Sequence, residues 1–214
     1  MVDPVERRKL LAQAVWRVVR REGLERASVR EVAREAGVSM GSLRHYFGSQ
    51  SELLIFAMRM VIDRIEDRVA ALQQSDDPRQ AAEQVLAELL PLDPERQAEN
   101  EVWLAFTARA LVDPQLRALR DEAYDLLRDA CRRWVRLLLP RGASELDIDL
   151  EAERLFALLD GLAVHAAMRP EQTNPDGLLA VLNHHLDQIT ATRVSAIDTP
   201  ITKLQSETGP TLSR

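Results

Sequence analysis

Apolar residues recur three or four positions apart through most of the chain. Leu54, Met58, Val61, Ile62, Ile65, Val69 and Leu72 form one such stripe; Leu116, Leu119, Ala123, Leu126, Leu127, Ala130, Trp134 and Leu137 form another. That spacing puts side chains on one side of a helix with 3.6 residues per turn. No segment sustains the two-residue alternation of a half-buried strand, and the one hairpin-type pair, Asp176-Gly177, lies inside a helical pattern. The fold class is all-α.

Punctuation between the stripes sets the element boundaries. Asx-Pro pairs stand at Asp3-Pro4, Asp77-Pro78, Asp93-Pro94, Asp113-Pro114 and Asn174-Pro175. An Asp or Asn side chain accepts from a free amide at a helix start, and the following proline has no donor to lose and a preset φ. Ser28-Val29-Arg30-Glu31 and Ser49-Gln50-Ser51-Glu52 read as capping boxes. These marks predict helices over 4–22, 29–36, 40–47, 50–74, 78–90, 94–110, 114–139, 150–169 and 175–192. The first three are short and basic, and the other six are longer and acidic. The shift near Gly48 divides a head, 1–48, from a body, 49–193. No Gly/Ser-rich linker separates them, so the helix at 50–74 is expected to pack directly on the head. Residues 194–214 are polar, contain Pro200 and Pro210, and read as a mobile tail.

Composition changes this picture in one respect. At 46% apolar residues the 214-residue chain can fill a core, which excludes a wholly disordered protein. Its net charge of −6 argues on its own against a nucleic-acid partner. The average hides an asymmetry: residues 1–50 hold ten bases against six acids, a net +4, and the rest hold 18 against 28, a net −10. Cys131 is alone, so no intrachain disulfide forms, and its place in an apolar stripe marks a small buried hydrophobe. Asp160 interrupts the longest apolar run, Leu155–Met168, which falls short of the ~18 residues of a membrane span. No secretion signal is read at the N-terminus. A cytoplasmic protein with no membrane partner is expected.

The chemistry concentrates between Ser28 and Leu54. Helix 29–36 stops at Gly37, a residue suited to a left-handed cap, and Ser39 can cap a second short helix. Two short helices around a Gly-containing turn form a helix-turn-helix. Val32, Val38, Leu43 and Phe47 supply the wedge between them, and Ala33 permits close approach. Met40, Gly41, Arg44 and His45 then occupy the outer side of the second helix, the side that enters a major groove. Arg44 can donate two hydrogen bonds to the O6 and N7 edge of guanine. Ser28 and Ser39 stand at the two helix starts, whose free amides add phosphate donors, and Ser39, Ser42 and Tyr46 carry hydroxyls suited to phosphate. His45 can meet a base or a phosphate. A Gly-turned helix pair with a surface arginine also occurs in helical proteins that bind no DNA.

Residues 33–54, Ala-Arg-Glu-Ala-Gly-Val-Ser-Met-Gly-Ser-Leu-Arg-His-Tyr-Phe-Gly-Ser-Gln-Ser-Glu-Leu-Leu, resemble the DNA-binding signature of TetR/AcrR-family transcriptional regulators. Leu90-Pro91-Leu92-Asp93-Pro94-Glu95-Arg96, followed by Val102-Trp103-Leu104-Ala105-Phe106, is similar to the BetI-like branch. The resemblance implies a three-helix DNA-binding head and a six-helix ligand-binding and dimerisation body. It also implies a homodimeric repressor, a double-stranded operator as partner and a small-molecule effector not yet identified. At Gln50 the family often carries a lysine that contacts the DNA backbone, and here that charge is absent.

The resemblance places the effector among the body helices. Trp103 and Phe106 share a face, with Asn100 and Thr107 a turn away on either side; Tyr124, Trp134 and Phe156 are the remaining body aromatics, and Asp160 is a carboxylate within an apolar helix. Asn100, Trp103, Phe106, Thr107, Tyr124, Phe156 and Asp160 are therefore the effector-binding candidates, for a flat ligand or a quaternary amine. Ordinary core packing is the competing reading for each aromatic. Dimerisation is assigned to the last two helices through Leu155, Leu158, Leu162 and Ala166 on one and Leu178, Leu182, Leu186 and Ile189 on the other. The arginines between 117 and 136 alternate with acids and read as a solvated face. His165, His184 and His185 lack metal-ligand spacing, and no catalytic grouping or phosphate loop is found, so no metal, cofactor or enzymatic activity is expected.

Overall fold

A computed structural model describes residues 4–23, 26–73 and 75–197, and among these it contains nine helices. They are α1 (Pro4–Glu22), α2 (Val29–Glu35), α3 (Met40–Arg44), α4 (Gln50–Ala71), α5 (Pro78–Ala87), α6 (Pro94–Ala110), α7 (Pro114–Leu138), α8 (Glu145–Met168) and α9 (Pro175–Ile197). Asp77, Asp93 and Asp113 each accept from amides in the first turn of their helices, and the Gly177 amide donates to Asn174 Oδ1 at 2.7 Å. Asp3 and residues 198–214, which hold most of the expected tail, lie outside the described residues. The described part of that tail, 194–197, continues α9 instead.

Two boundaries differ usefully from expectation. Helix α8 starts five residues before position 150, because Ser144 accepts from the Asp147 amide and Asp147 returns a carboxylate to the Ser144 amide. This is a capping box with Asp in place of Glu. Helix α3 ends at Arg44 rather than 47, since the chain turns at His45 and Tyr46 to bring Phe47 inward against Phe56, ring centroids 5.0 Å apart.

Apart from Leu126 and Leu137, which are exposed, the apolar stripes close into two cores, and their division does not follow the charge boundary at Gly48. Leu11, Val15, Val18 and Val19 of α1, Val32 of α2 and Leu43 of α3 join Leu53, Met58 and Val61 of α4 and Val102 and Phe106 of α6 in one cluster. Residues of α5, α7, α8 and α9 form the other, around Leu86, Val135, Leu155, Leu182 and Leu186. Head, α4 and α6 thus share one continuous apolar core, as a linker-free junction requires. Two outer ion pairs add to it: Arg17 and Arg21 on α1 both donate to Glu35 on α2, at 2.6 and 2.9 Å, and hold its carboxyl below the usual carboxylate range. No helix among the described residues is long and apolar enough to cross a membrane.

Cys131 is fully buried in the second core. Burial first, and then the nearby Asp160 carboxylate, push its thiol up to about 12. A thiol reagent at pH 8 should therefore label the chain only after denaturant is added; immediate labelling of the native protein would contradict this burial.

Candidate nucleic-acid interface and effector groove

The α2–α3 corner is built by local rules. Ser28 caps α2 by accepting from the Glu31 amide, at 3.2 Å, and Ser39 caps α3 by accepting from the Ser42 amide, at 3.1 Å. Gly37 adopts φ 64°, its amide donates to Arg34 and the Val38 amide donates to Ala33, so the last carbonyls of α2 are satisfied by a Schellman turn. Leu43 and Phe47 point inward and are buried, whereas Met40, Gly41, Arg44, His45 and Tyr46 are exposed. Among the described residues no carboxylate pairs with Arg44. Ser42 is tethered from behind, its Oγ accepting from Arg7 of α1 at 3.0 Å, which fixes α3 against the first helix.

Gly41 is informative because nothing inside the chain asks for it. A Cβ there would meet only Ser39 Oγ, at 3.9 Å. The residue costs ~1 kcal/mol of helix propensity relative to alanine. Open space above it admits a close approach from outside.

The start of α4 ties the head to the body. Gln50, at the position of the family's lysine, turns its amide back to donate to the Ala27 carbonyl at 3.1 Å, so this side chain braces the head instead of reaching outward. Glu52 accepts from the Gly48 amide at 2.7 Å. Ser51 donates to Asp113 at 2.5 Å, joining α4 to the α6–α7 corner. That bond, followed by the Gln115 amide, holds the Asp113 carboxyl below its ordinary range.

A second clasp was not anticipated from the sequence. Glu99 of α6 is 4% exposed. It accepts from Arg64 at 3.1 Å and from two nitrogens of Arg68 at 2.8 and 2.7 Å, both arginines lying on α4. Arg68 also donates to Glu88 at 2.7 Å, and these carboxylates, Glu99 first, raise its already high pKa. Arg64 pairs with Glu95 as well and lies 4.3 Å over the Trp16 ring of α1, while the Trp16 indole donates to Glu95. Two i, i+4 pairs on facing helices therefore interlock, and the chain of contacts runs from head to body.

The effector candidates separate into two groups. Trp103 and Tyr124 stack with centroids 5.3 Å apart, and Phe156 meets Tyr124 edge-on at 5.4 Å. Asp160 lies near Tyr124, and burial pushes its carboxyl upward. These four residues come together. The other three are engaged elsewhere: Asn100 donates to the Ala163 carbonyl at 2.8 Å, Phe106 is fully buried in the head-side core, and the Thr107 hydroxyl donates within its own helix. Tyr124 and Phe156 floor a groove of about 540 Å³ between α7 and α8, with Leu146 and Leu150 on one side. Its rim carries Asp125, Asp149, Glu153 and Arg128. Arg117, Arg128, Arg133 and Arg136 of α7 are exposed, whereas Arg120 and Arg132 are half-buried, and Arg132 bonds across to α8 at Asp149 and Glu145, both at 2.6 Å.

The dimer candidates need correction. Leu155, Leu162, Leu178, Leu182, Leu186 and Ile189 are buried within the single chain, and Leu158 and Ala166 pack against the same core. Their stripes are consumed by packing α8 and α9 on α5 and α7. The apolar surface left on these helices is a different face: Val164 and Met168, 38% and 71% exposed, follow exposed Ala157 and half-buried Gly161 on α8, and Val181 of α9 is 43% exposed.

Comparison with known proteins agrees with this arrangement. The family model for bacterial regulatory proteins of the tetR family matches residues 11–55, and that for the C-terminal part of BetI-type transcriptional repressors matches residues 78–191. Over 194 residues, 88% of this chain and 92% of the relative, the sequence is 40% identical to the HTH-type transcriptional regulator PksA of Bacillus subtilis strain 168. A crystal structure of a transcriptional regulator from Rhodococcus sp. Rha1 superposes with a TM-score of 0.75 at 33% identity, covering 86% of this chain and 96% of that one. A regulator from Saccharomonospora viridis, solved in complex with choline, shares the fold with a TM-score of 0.69 at 23% identity, covering 86% and 96%.

Proposed function

Because this chain belongs to the TetR family of bacterial transcriptional regulators and is a DNA-binding repressor by that membership, we propose that it works in the cytoplasm as a homodimer released from a palindromic operator by a small-molecule effector. The observation that carries the DNA-reading part is the outer face of α3, where Met40, Gly41, Arg44 and His45 stand exposed on a helix fixed from behind by Leu43 and Phe47. Arg44 reads a base edge. The hydroxyls of Ser28, Ser39 and Tyr46 and the amides at the starts of α2 and α3 meet phosphates, with Ser42 held by Arg7 as the lesser contributor. Two heads dock in successive major grooves, with half-sites ~34–36 Å apart. Dimerisation uses the exposed α8–α9 face around Gly161, Val164 and Val181. Effector binding in the body shifts α6 and α7, and the Glu99 and Ser51–Asp113 contacts pass that shift to α4 and the head, favouring a spacing with weaker operator affinity.

Titration of a cognate site tests the assignment. Arg44→Ala should cost about 1–3 kcal/mol there, roughly 5- to 150-fold in affinity, and relax the base preference at one position. Tyr46→Phe should weaken binding to all sequences alike. Affinity should also fall steeply with salt as counterions are released. Unchanged affinity in both variants, or a flat salt response, would remove these roles.

A further inference from the structure

Three helices meet at one carboxylate oxygen. Glu95 Oε1, on α6, accepts from the Trp16 indole of α1 at 3.2 Å and from Arg64 of α4. The Arg64 guanidinium lies 4.3 Å over the Trp16 ring. Trp16 is buried in the head-side core, while the Glu95 side chain is half-exposed. A carboxylate that open to water adds little to stability through its ion pair. What it supplies is direction. Apolar packing of α1 on α4 and α6 opposes separation without fixing an angle, whereas a hydrogen bond weakens steeply once its donor swings out of line.

The angle of α1 is the angle of the whole head. Arg17 and Arg21 tie α1 to Glu35 of α2, and Arg7 ties it to Ser42 of α3. A rotation of α1 on α6 therefore carries the exposed Arg44 face with it. We propose that Trp16 is a positioning residue: its bond to Glu95 sets the angle of the head on the body, and so selects the half-site spacing the protein accepts. Neither side chain lies on the α3 reading face. Each base pair inserted between half-sites moves one of them by about 3.4 Å and turns it by about 35°. A head held at one angle rejects such a change, and a loosened head follows it.

The spacing half of this inference rests on the regulator reading, but its first test needs neither DNA nor a dimer. Spin labels are placed on the full chain at Arg30→Cys in the head and Asp129→Cys in the body, both exposed positions, while buried Cys131 stays unlabelled. Double electron–electron resonance, with labelled chain diluted in unlabelled chain, reads the distance between them. The parent should give one narrow distance. Trp16→Phe and Glu95→Ala should each broaden it about twofold, and the double variant no further than either alone. Glu95→Gln keeps an acceptor oxygen and should stay close to the parent. Inverted repeats with the preferred spacer, and with one or two base pairs added, are then titrated. The parent should lose about tenfold or more on the lengthened spacers, and Trp16→Phe and Glu95→Ala about threefold or less. A residue needed only for packing would weaken every spacer alike and leave that ratio where it was. An unchanged distance distribution, or an unchanged spacer ratio, in both variants would overturn the proposal. Glu95→Ala, at a half-exposed side chain, carries the test if Trp16→Phe misfolds. A parent that binds no repeat, yet whose head distance responds to both variants, would sink the regulator reading and uphold the hold on the head.

Discussion

A glutamate at Leu182 should unfold the protein, whereas a glutamate at Val164 should leave it folded and split the proposed dimer. Leu182 is wholly buried, packed with Leu178 and Leu186 of α9 in the core formed with α5, α7 and α8. Truncation to alanine at such a site costs about 2–5 kcal/mol, from lost transfer energy and the cavity left behind. A carboxylate there adds the desolvation of a charge with no partner. The sum rivals the ~5–15 kcal/mol that holds a typical domain together. Val164 is 38% exposed on the apolar face that α8 presents outward, so a charge there costs the monomer little. Thermal melts followed by circular dichroism and sedimentation separate the outcomes. A folded, monomeric Leu182→Glu protein would contradict both the core placement and the reassigned interface.

Glu99→Gln should be the most damaging single change among the charged residues. The carboxylate is almost fully buried and takes three hydrogen bonds from two guanidinium groups. Glutamine keeps the shape, removes the charge and turns one acceptor into a donor facing an arginine. Breaking a buried pair costs about 3–5 kcal/mol. Side chains of Arg64 and Arg68 keep 33% and 29% of their exposure, so water screens part of the loss and about 2–4 kcal/mol is expected. Glu95→Gln is the comparison: its side chain is 47% exposed, and the change should cost no more than about 1 kcal/mol. Denaturant midpoints measure both. Equal shifts in the two variants would show that burial of Glu99 carries no energetic weight.

Local signals in the sequence were read directly wherever one residue decides the outcome. The Asx-Pro starts of α5, α6, α7 and α9, the Ser28 and Ser49 hydroxyl caps and the Gly37 stop need no tertiary information and stand where their chemistry predicts. Neither expected capping box closes, however: no return bond from Glu31 to Ser28 forms, and Glu52 accepts from the Gly48 amide instead of Ser49. The start of α8 is less plain in the sequence, because Asp147 takes the place usually held by Glu in the Ser144 capping box. Features that depend on which helix meets which were hidden. Glu95 and Glu99 look like an ordinary solvated i, i+4 pair until α4 places Arg64 and Arg68 opposite them. Leucines on α8 and α9 are apolar whether they face their own chain or a partner, so periodicity finds the stripe without saying what covers it. Of the effector candidates, the aromatics Trp103, Tyr124 and Phe156 meet as their shared chemistry suggests, but Phe106, equally aromatic, is fully buried in the head-side core.

One measurement bears on the central claim more directly than any other: fragments of host DNA retained by the purified protein are sequenced, with the Arg44→Ala variant run in parallel. The unmodified protein should enrich a short inverted repeat whose half-sites sit about one helical turn apart or slightly more. Arg44→Ala should recover the same repeat more weakly and with one base position in each half-site degenerate. Failure to retain any fragment at low salt, or an identical motif at equal strength from both proteins, would contradict the account.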